Sequence, residues 1–309
     1  MAITLIENFR AVFYTPFYAA FALHAYDEAG VDVRRLDSDD PGQTVQRLLS
    51  GQGDVAWGGP IRLLVDQQQP QNTLVLFCEV VRRDPFFLVG RTPKPNFQLT
   101  DLLGVKLATV SEVPTPWLCL QHDLRVAGLD PAQLRRIPDR SMPDNLAALR
   151  AGEIDVMQAF QPFVEQAIES GAHLWYAAAT RGRTAYTAFY TTRACLEREP
   201  ENLLRMTRAM YRTQQWIATH ESAELAALVA SYFPTLALPT LTNALARYKA
   251  LQLWNRTPMM HPDGLLWLRD ACLSGGYIQR SVSYEQCVDM RFAAQVMQET
   301  PATVADDTE

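Results

Sequence analysis

One unit occurs twice in this chain of 309 residues, and it restricts the fold more than any other feature. In the first copy, Phe13 to Val33 passes from an aromatic loop through Thr15-Pro16 into a helix. Gly30 stops that helix before Val31-Asp32-Val33 alternates as a strand. Pro16 suits a first helical position, with Thr15 ahead of it as a hydroxyl cap, and Gly30 suits a left-handed stop. In the second copy, Thr115-Pro116-Trp117 opens a helix that closes at Ala127-Gly128-Leu129-Asp130, echoing Ala29-Gly30-Val31-Asp32. Leu48, Gly51, Asp54 and Val55 then have counterparts at the same relative spacing in Leu149, Gly152, Asp155 and Val156. A proline opens the next helix each time, Pro60 and then Pro162. Any α/β chain repeats helix, glycine and strand; two echoes in the same order predict two lobes of like design.

The rest of the pattern fits. Strands are expected at 3–9, 31–36, 54–57 and 73–81, with helices at 16–28, 41–50 and 60–69 between them. Helices alternating with short β-branched runs imply a mostly parallel sheet flanked by helices in each lobe. A strand at 86–89 and the turn Thr92-Pro93-Lys94-Pro95-Asn96 lead to a second set: helix 100–103, strands 105–110, 134–137, 154–159 and 173–179, helices 116–127, 143–151 and 162–170. The β-rich run Thr184 to Thr192 carries the chain back to the first lobe. From Glu199 the pattern is helical, at 199–219, 222–231, 239–253, 262–274 and 284–298. The expected division is residues 1–90 with 187–299 as lobe I, 91–186 as lobe II, and a polar, disordered tail at 300–309.

Composition excludes several classes. A net charge of −6, with basic residues only in doublets such as Arg34-Arg35, Arg82-Arg83 and Arg135-Arg136, opposes a nucleic-acid partner. No run is long and apolar enough to insert in a membrane. Met1-Ala2 leads straight into the first strand, without a leader pattern. The expectation is a periplasmic protein if a leader was removed, otherwise a cytoplasmic one. Cys78, Cys119, Cys195, Cys272 and Cys287 are odd in number and widely spaced, which forms neither a disulfide framework nor a metal pattern. Cys78 and Cys119 lie in apolar surroundings and read as buried small hydrophobes.

In open α/β sheets ligands bind beyond the carboxyl ends of the strands, where helix N-termini converge. Two such lobes put two edges face to face, closing like a clamshell over a guest. The loops expected there supply aromatic faces from Phe13, Tyr14, Trp57, Trp117, Phe160 and Tyr186, and neutral hydrogen-bonding groups from Ser38, Gln43, Ser111, Thr115, Gln158 and Gln161, with Thr15 a further candidate contact. Helix starts near Gln43, Gly58-Gly59 and Thr115 offer N–H groups to a carboxylate or sulfonate. Arg10, Arg82, Arg181 and Arg183 offer counter-charge, and Glu112 a carboxylate for a ligand amine or donor. Phe17 and Tyr18 read as core; for Trp57 and Tyr14, core packing and ligand stacking both stand. The site predicts a flat or aromatic small molecule, with one acidic group.

Catalytic signatures are thin. His24, His122, His173, His220 and His261 are scattered, with no metal-ligand spacing, and no Gly-x-Ser-x-Gly, Walker loop or Gly-x-Gly-x-x-Gly is present. No catalytic residue, metal or cofactor is assigned.

Thr15-Pro16-Phe17-Tyr18-Ala19-Ala20 followed by Glu28-Ala29-Gly30-Val31-Asp32-Val33 resembles the opening of the NMT1/THI5-like (SsuA-like) solute-binding proteins. Gln46 to Ala56 and Leu102-Leu103-Gly104-Val105-Lys106-Leu107 resemble later segments of that family, as do Tyr284, Val288, Asp289 and Phe292. Ala25 stands where the family has Gly before its aromatic. The resemblance implies a two-lobed α/β periplasmic-binding-protein-like (type II) fold with a helical C-terminal extension. It also implies capture of a small-molecule ligand (sulfonate, nitrate, pyrimidine-like or aromatic acid) for an ABC permease. The alternative is a cytoplasmic enzyme on the same fold, in thiamine-pyrimidine synthesis or a dehydratase- or decarboxylase-like reaction, with Glu112 and His24 as its candidates. The Cys-rich motif of the pyrimidine-synthase branch is missing, which counts against that activity. A ligand sensor without transport is a third reading.

Overall fold

A computed structural model describes residues 2–37 and 41–300. Ser38, Asp39, Asp40 and the tail beyond Thr300 lie outside the described residues. The strands in chain order are β1 (Ile3–Ile6), β2 (Val33–Leu36), β3 (Val55–Gly58), β4 (Leu74–Val81), β5 (Phe87–Gly90), β6 (Lys106–Ala108), β7 (Arg135–Ile137), β8 (Val156–Ala159), β9 (His173–Ala177) and β10 (Thr187–Thr192). They form two five-stranded sheets, β2-β1-β3-β10-β4 and β7-β6-β8-β5-β9. In the first, β1 pairs in parallel with β2 and β3, while β10 runs antiparallel to both β3 and β4. In the second, β6 pairs in parallel with β7 and β8, and β5 runs antiparallel to β8 and β9. Each sheet is therefore mixed: one reversed strand lies among four that share a direction. The reversed strand in each is the one the chain enters on arriving from the other sheet. β5, on the lobe I side of the expected division at residue 90, pairs within the second sheet.

The helices are α1 (Thr15–Ala22), α2 (Ala25–Glu28), α3 (Thr44–Leu49), α4 (Ile61–Asp66), α5 (Thr115–Val126), α6 (Met142–Ala151), α7 (Phe163–Glu169), α8 (Arg193–Arg198), α9 (Pro200–Thr219), α10 (Ser222–Val229), α11 (Leu238–Ala250), α12 (Pro262–Ser274), α13 (Tyr284–Cys287) and α14 (Arg291–Glu299). Three expectations need correction. The helix over 16–28 is two, because His24 takes a left-handed backbone (φ 53°) between α1 and α2. Thr15 is the first helical residue, not a cap; its hydroxyl donates to Val12 O at 2.7 Å. The helix over 284–298 breaks where Val288 pairs with Leu76 and the Asp289 amide donates to Leu76 O at 2.8 Å. That pairing, with Asn255 N to Val80 O and Arg82 N to Leu253 O, covers the outer edge of β4, an edge that would otherwise invite intermolecular pairing.

The repeat is visible in the backbone. Gly30 and Gly128 take φ of 74° and 76°, and Gly51 and Gly152 both take 76°, the left-handed stop that a Cβ disfavours. Asp54 Oδ2 accepts from the Thr4 amide at 3.0 Å, and Asp155 Oδ2 from the Lys106 amide at 2.9 Å. The return bonds match too, Asp54 N to Thr4 O and Asp155 N to Lys106 O. One carboxylate per lobe thus fastens the entry to β3 onto β1, or the entry to β8 onto β6.

Residues 82–86 and 178–186 carry the chain between the sheets, and they are bonded to each other through Thr184 N to Arg82 O and Ala178 N to Phe86 O. At this crossing Arg181 pairs with Asp84 at 2.6 Å and with Asp123 of α5, its guanidinium stacked 4.7 Å from the Trp267 ring of α12. The C-terminal helices also reach across. From α11, Arg247 Nε lies 2.6 Å from Glu165 of α7, Thr240 donates to Glu169 at 2.9 Å, and the Tyr248 hydroxyl donates to Pro85 O and accepts from Gln161 N. On the other flank, Leu265, Leu268 and Cys272 of α12 share an apolar cluster with Leu118 and Cys119 of α5 and Ile61 and Leu64 of α4.

Candidate functional site

Where the two sheets face each other lies a cavity of about 240 Å³. From the first sheet's loops it is lined by Asn8, Phe9, Phe13, Tyr14, Gly42, Val45, Gly59, Ile61 and Arg62. From the second come Glu112, Val113, Pro114 and Thr115. Phe86 and Tyr186 arrive from the crossing segments, and Tyr277 from the loop after α12. Six of these sixteen residues are aromatic. Phe9 and Phe13 meet edge-on at 5.9 Å, and Phe86 lies 6.0 Å from Tyr186.

The polar part of the cavity is built on the β3–α4 turn. Arg62, in the first turn of α4, donates from Nη2 to Asn8 Oδ1 at 2.7 Å. Asn8 in turn donates to the Tyr14 hydroxyl at 3.0 Å and accepts from Thr44 at 3.2 Å. Gly58 makes this arrangement fit: a Cβ there would stand 3.2 Å from Arg62 Nη1 and 3.3 Å from the Tyr190 ring. Burial pushes the Tyr14 phenol up to about 12 and the Tyr186 phenol well above its usual value, so both stay protonated. The Tyr186 hydroxyl is buried with no hydrogen-bond partner among the described residues. Across the cleft stands the start of α5, whose N-terminal flank, Pro114, provides no side-chain cap.

Of the residues singled out from sequence, Phe13, Tyr14, Gly59, Glu112, Thr115 and Tyr186 meet at this cavity. Glu112 already has work in the fold: Oε1 accepts from the Met142 amide at 2.7 Å and Oε2 from Ser111 N at 3.1 Å, which caps the start of α6. His24, its partner in the enzyme reading, is exposed beside Asp27 and does not line the cavity.

The others are placed elsewhere. Trp57 is fully buried and stacked on Phe17 at 4.7 Å, so core packing claims it. Thr15 is buried under its bond to Val12, and Gly58 lies beneath Arg62. Arg10 pairs with Glu7 at 2.7 Å. Arg82 is buried, donating to Gln252 O and Oε1. Arg183 lies 3.9 Å from Asp263. Ser111 donates to Arg140 O, and Gln158 to Pro116 O. Arg136 covers the Trp117 ring at 4.2 Å. Phe160 stands behind the cavity wall, 5.8 Å from Phe13 and 5.3 Å from Phe86. Gln43 adjoins the lining residue Gly42 but does not itself line the cavity.

Sequence reasoning missed Asn8, Arg62 and Tyr277. Arg62 had a signal: it is the second residue after a Gly-Gly-Pro helix start, where a side chain can fold back over the turn. Cys78 and Cys119 are buried and free, as expected, and so are Cys195, Cys272 and Cys287. Among the described residues no cluster of His, Cys, Asp and Glu has metal-binding geometry, and no helix is long and apolar enough to cross a membrane.

Two mixed α/β lobes of matching topology, crossed by two segments and facing each other over one cavity, form the two-lobed fold of the periplasmic binding proteins. Comparison agrees. The chain superposes on the periplasmic aliphatic sulphonate binding protein SsuA of Escherichia coli with a TM-score of 0.75 at 16% identity, covering 92% of this chain and 96% of that one. For the alkanesulfonate-binding protein SsuA of Xanthomonas axonopodis pv. citri, bound to MOPS, the TM-score is 0.70 at 14% identity, covering 94% and 98%. In sequence it is 22% identical over 301 residues to a Bacillus subtilis (strain 168) protein described as "Putative binding protein YtlA", covering 96% of this chain and 90% of the relative. Residues 91–231 match the NMT1-like family.

Proposed function

We propose that this chain is a solute-binding protein that holds one small aromatic or organic anionic molecule between its lobes and delivers it to an ABC-type importer. The observation that carries this is the cavity itself: aromatic faces from the first sheet's loops, the crossing segments and the loop after α12, with Arg62, Asn8 and Tyr14 forming one polar end. Aromatic faces take a flat apolar body, while the few placed polar groups orient it. The relatives support the class: a described binding protein in sequence, sulfonate-binding proteins in structure. The periplasmic setting of the Escherichia coli protein supports an extracytoplasmic site of action here.

The test is to purify the protein without denaturation and identify by mass spectrometry any molecule released on unfolding. A thermal-shift screen of aromatic acids, sulfonates and pyrimidines accompanies it. A true ligand at a hundred times its Kd stabilises the fold by about 2.7 kcal/mol, which is readily measured. No retained molecule and no stabiliser across the screen would overturn the reading.

A further inference from the structure

The six aromatic rings of the cavity are not alike. Phe13, Tyr14, Phe86 and Tyr186 are at most 5% exposed and Phe9 is half-buried, so packing accounts for them. Tyr277 is 44% exposed. Leu49, Val65, Val126 and Leu238 are exposed large apolar side chains too, but none of them lines the cavity. Covering an aromatic face is favourable in proportion to the apolar area taken from water, so a wet ring on the lining of a cavity is a contact in waiting.

The ring is not on a loose segment. The Tyr277 amide donates to Cys272 O at 2.9 Å, after Gly276 at φ 69°. Ile278 is 2% exposed and belongs to the apolar cluster that joins α4, α5 and α12. The Gln279 and Arg280 amides donate to Gln68 Oε1 at 3.2 and 2.8 Å, just past the end of α4. Gly275 is pressed on α5, where an added Cβ would stand 2.6 Å from Leu118 Cδ2. Tyr277 is therefore presented from anchors on both lobes. Burial, and to a smaller degree Cys272, raises its phenol above the usual 10 while Arg62 opposes the rise, which agrees with a ring in the field of the cavity's charged group.

We propose that Tyr277 selects an aromatic guest: its exposed ring packs on the aryl body of the ligand, so that a residue of the C-terminal extension, outside both sheets, sets affinity. This rests on the cleft being a solute site. The other rings are in place whether or not a ligand is present, while this one loses its water only when a flat body covers it.

Titration calorimetry with benzenesulfonate and propane-1-sulfonate, an aryl and an alkyl body on one acidic group, compares the full chain with its Tyr277→Ala and Tyr277→Phe variants. Tyr277→Ala is expected to weaken benzenesulfonate about tenfold and propane-1-sulfonate less than about threefold. Tyr277→Phe is expected to keep the unaltered affinities, because the ring makes the contact. Unliganded melting temperatures of the three proteins are expected to agree, since exposed side chains add little to stability. Equal affinity for benzenesulfonate in Tyr277→Ala and the unaltered protein overturns the role of Tyr277 and leaves the solute site standing. So does an equal loss for both sulfonates, an equal loss in both variants, or a lower unliganded melting temperature in Tyr277→Ala, which would make the ring a support for its own loop. If the unaltered protein takes neither sulfonate, the aryl-acid guest falls and this role with it, while a molecule retained on purification would still uphold the solute site.

Discussion

The β3–α4 turn of the first lobe and the β8–α7 turn of the second occupy the same place in matching sheets, yet they do opposite things. The first reads Trp57-Gly58-Gly59-Pro60 and the second Gln158-Ala159-Phe160-Gln161-Pro162. Where the first has Gly59 lining the cavity, the second has Phe160 packed among Phe9, Phe13 and Phe86. Counted from the prolines, Arg62 corresponds to Val164, which is wholly buried. One scaffold has been filled two ways: an open turn with a charged group above it, and a plug that forms the wall behind. The backbone program of each lobe fixes where a turn lies, and the side chains of that turn decide whether it makes a site or a core.

That contrast can be broken. Phe160→Ala removes a ring held edge-on by neighbours from both lobes, and should cost about 3–5 kcal/mol in denaturant unfolding. A cost under 1 kcal/mol would mean the plug is not packed as described. The likeness of the lobes can be sharpened through its two carboxylates. Asp54→Ala should destabilise by about 1–3 kcal/mol, since it strands the Thr4 amide in a largely buried setting. Asp155→Ala should cost less, because Asp155 is 44% exposed against 25% for Asp54 and its arginine partner is farther, at 3.9 Å against 2.9 Å. Equal losses in parallel urea titrations would contradict that ranking.

The smallest effect concerns His122 of α5, which meets the Trp267 ring at 5.1 Å and Ser274 Oγ at 2.9 Å on the C-terminal helix α12. Burial lowers its pKa below the usual 6.5, so the folded protein favours the neutral ring. Its contribution is complete above pH 6.5 and is lost as pH falls through the lowered folded value. Melting temperatures from pH 7.5 down to 5 should fall slightly less in His122→Gln than in the unaltered protein. Identical slopes would remove His122 from that account.

Much of the scaffold was legible because it is written in local chemistry. Glycines at left-handed stops, prolines at helix starts and apolar alternation in the strands each act within a few residues, so Gly30, Gly128, Gly51 and Gly152 reveal the repeat without any tertiary knowledge. The site was less legible because its members are chosen by distance in space. Trp57 sits in a loop-like context, but Phe17 stacks on it from a different element and takes it into the core. Arg82 has a sequence context like that of a cleft arginine, yet Gln252, some 170 residues away, claims it. Tyr277 reaches the cavity from beyond α12, where no pattern near the cleft loops of the two lobes announces it. Breaks such as His24 and Val288 follow from packing and edge pairing, which periodicity does not report.

The reach of α11 and α12 onto α7 and α5 bears on how such a molecule breathes. With only two strands joining them, the halves would swing apart at the cost of bending a few bonds. Here the swing must also pull Arg247 from a nearly enclosed Glu165 and slide an apolar seam open. The ion pair and the apolar seam exist only while the halves are together, so both weigh toward the closed arrangement before any cargo arrives. Less of the cargo's grip is then spent on drawing the halves together, and more remains for telling one molecule from another.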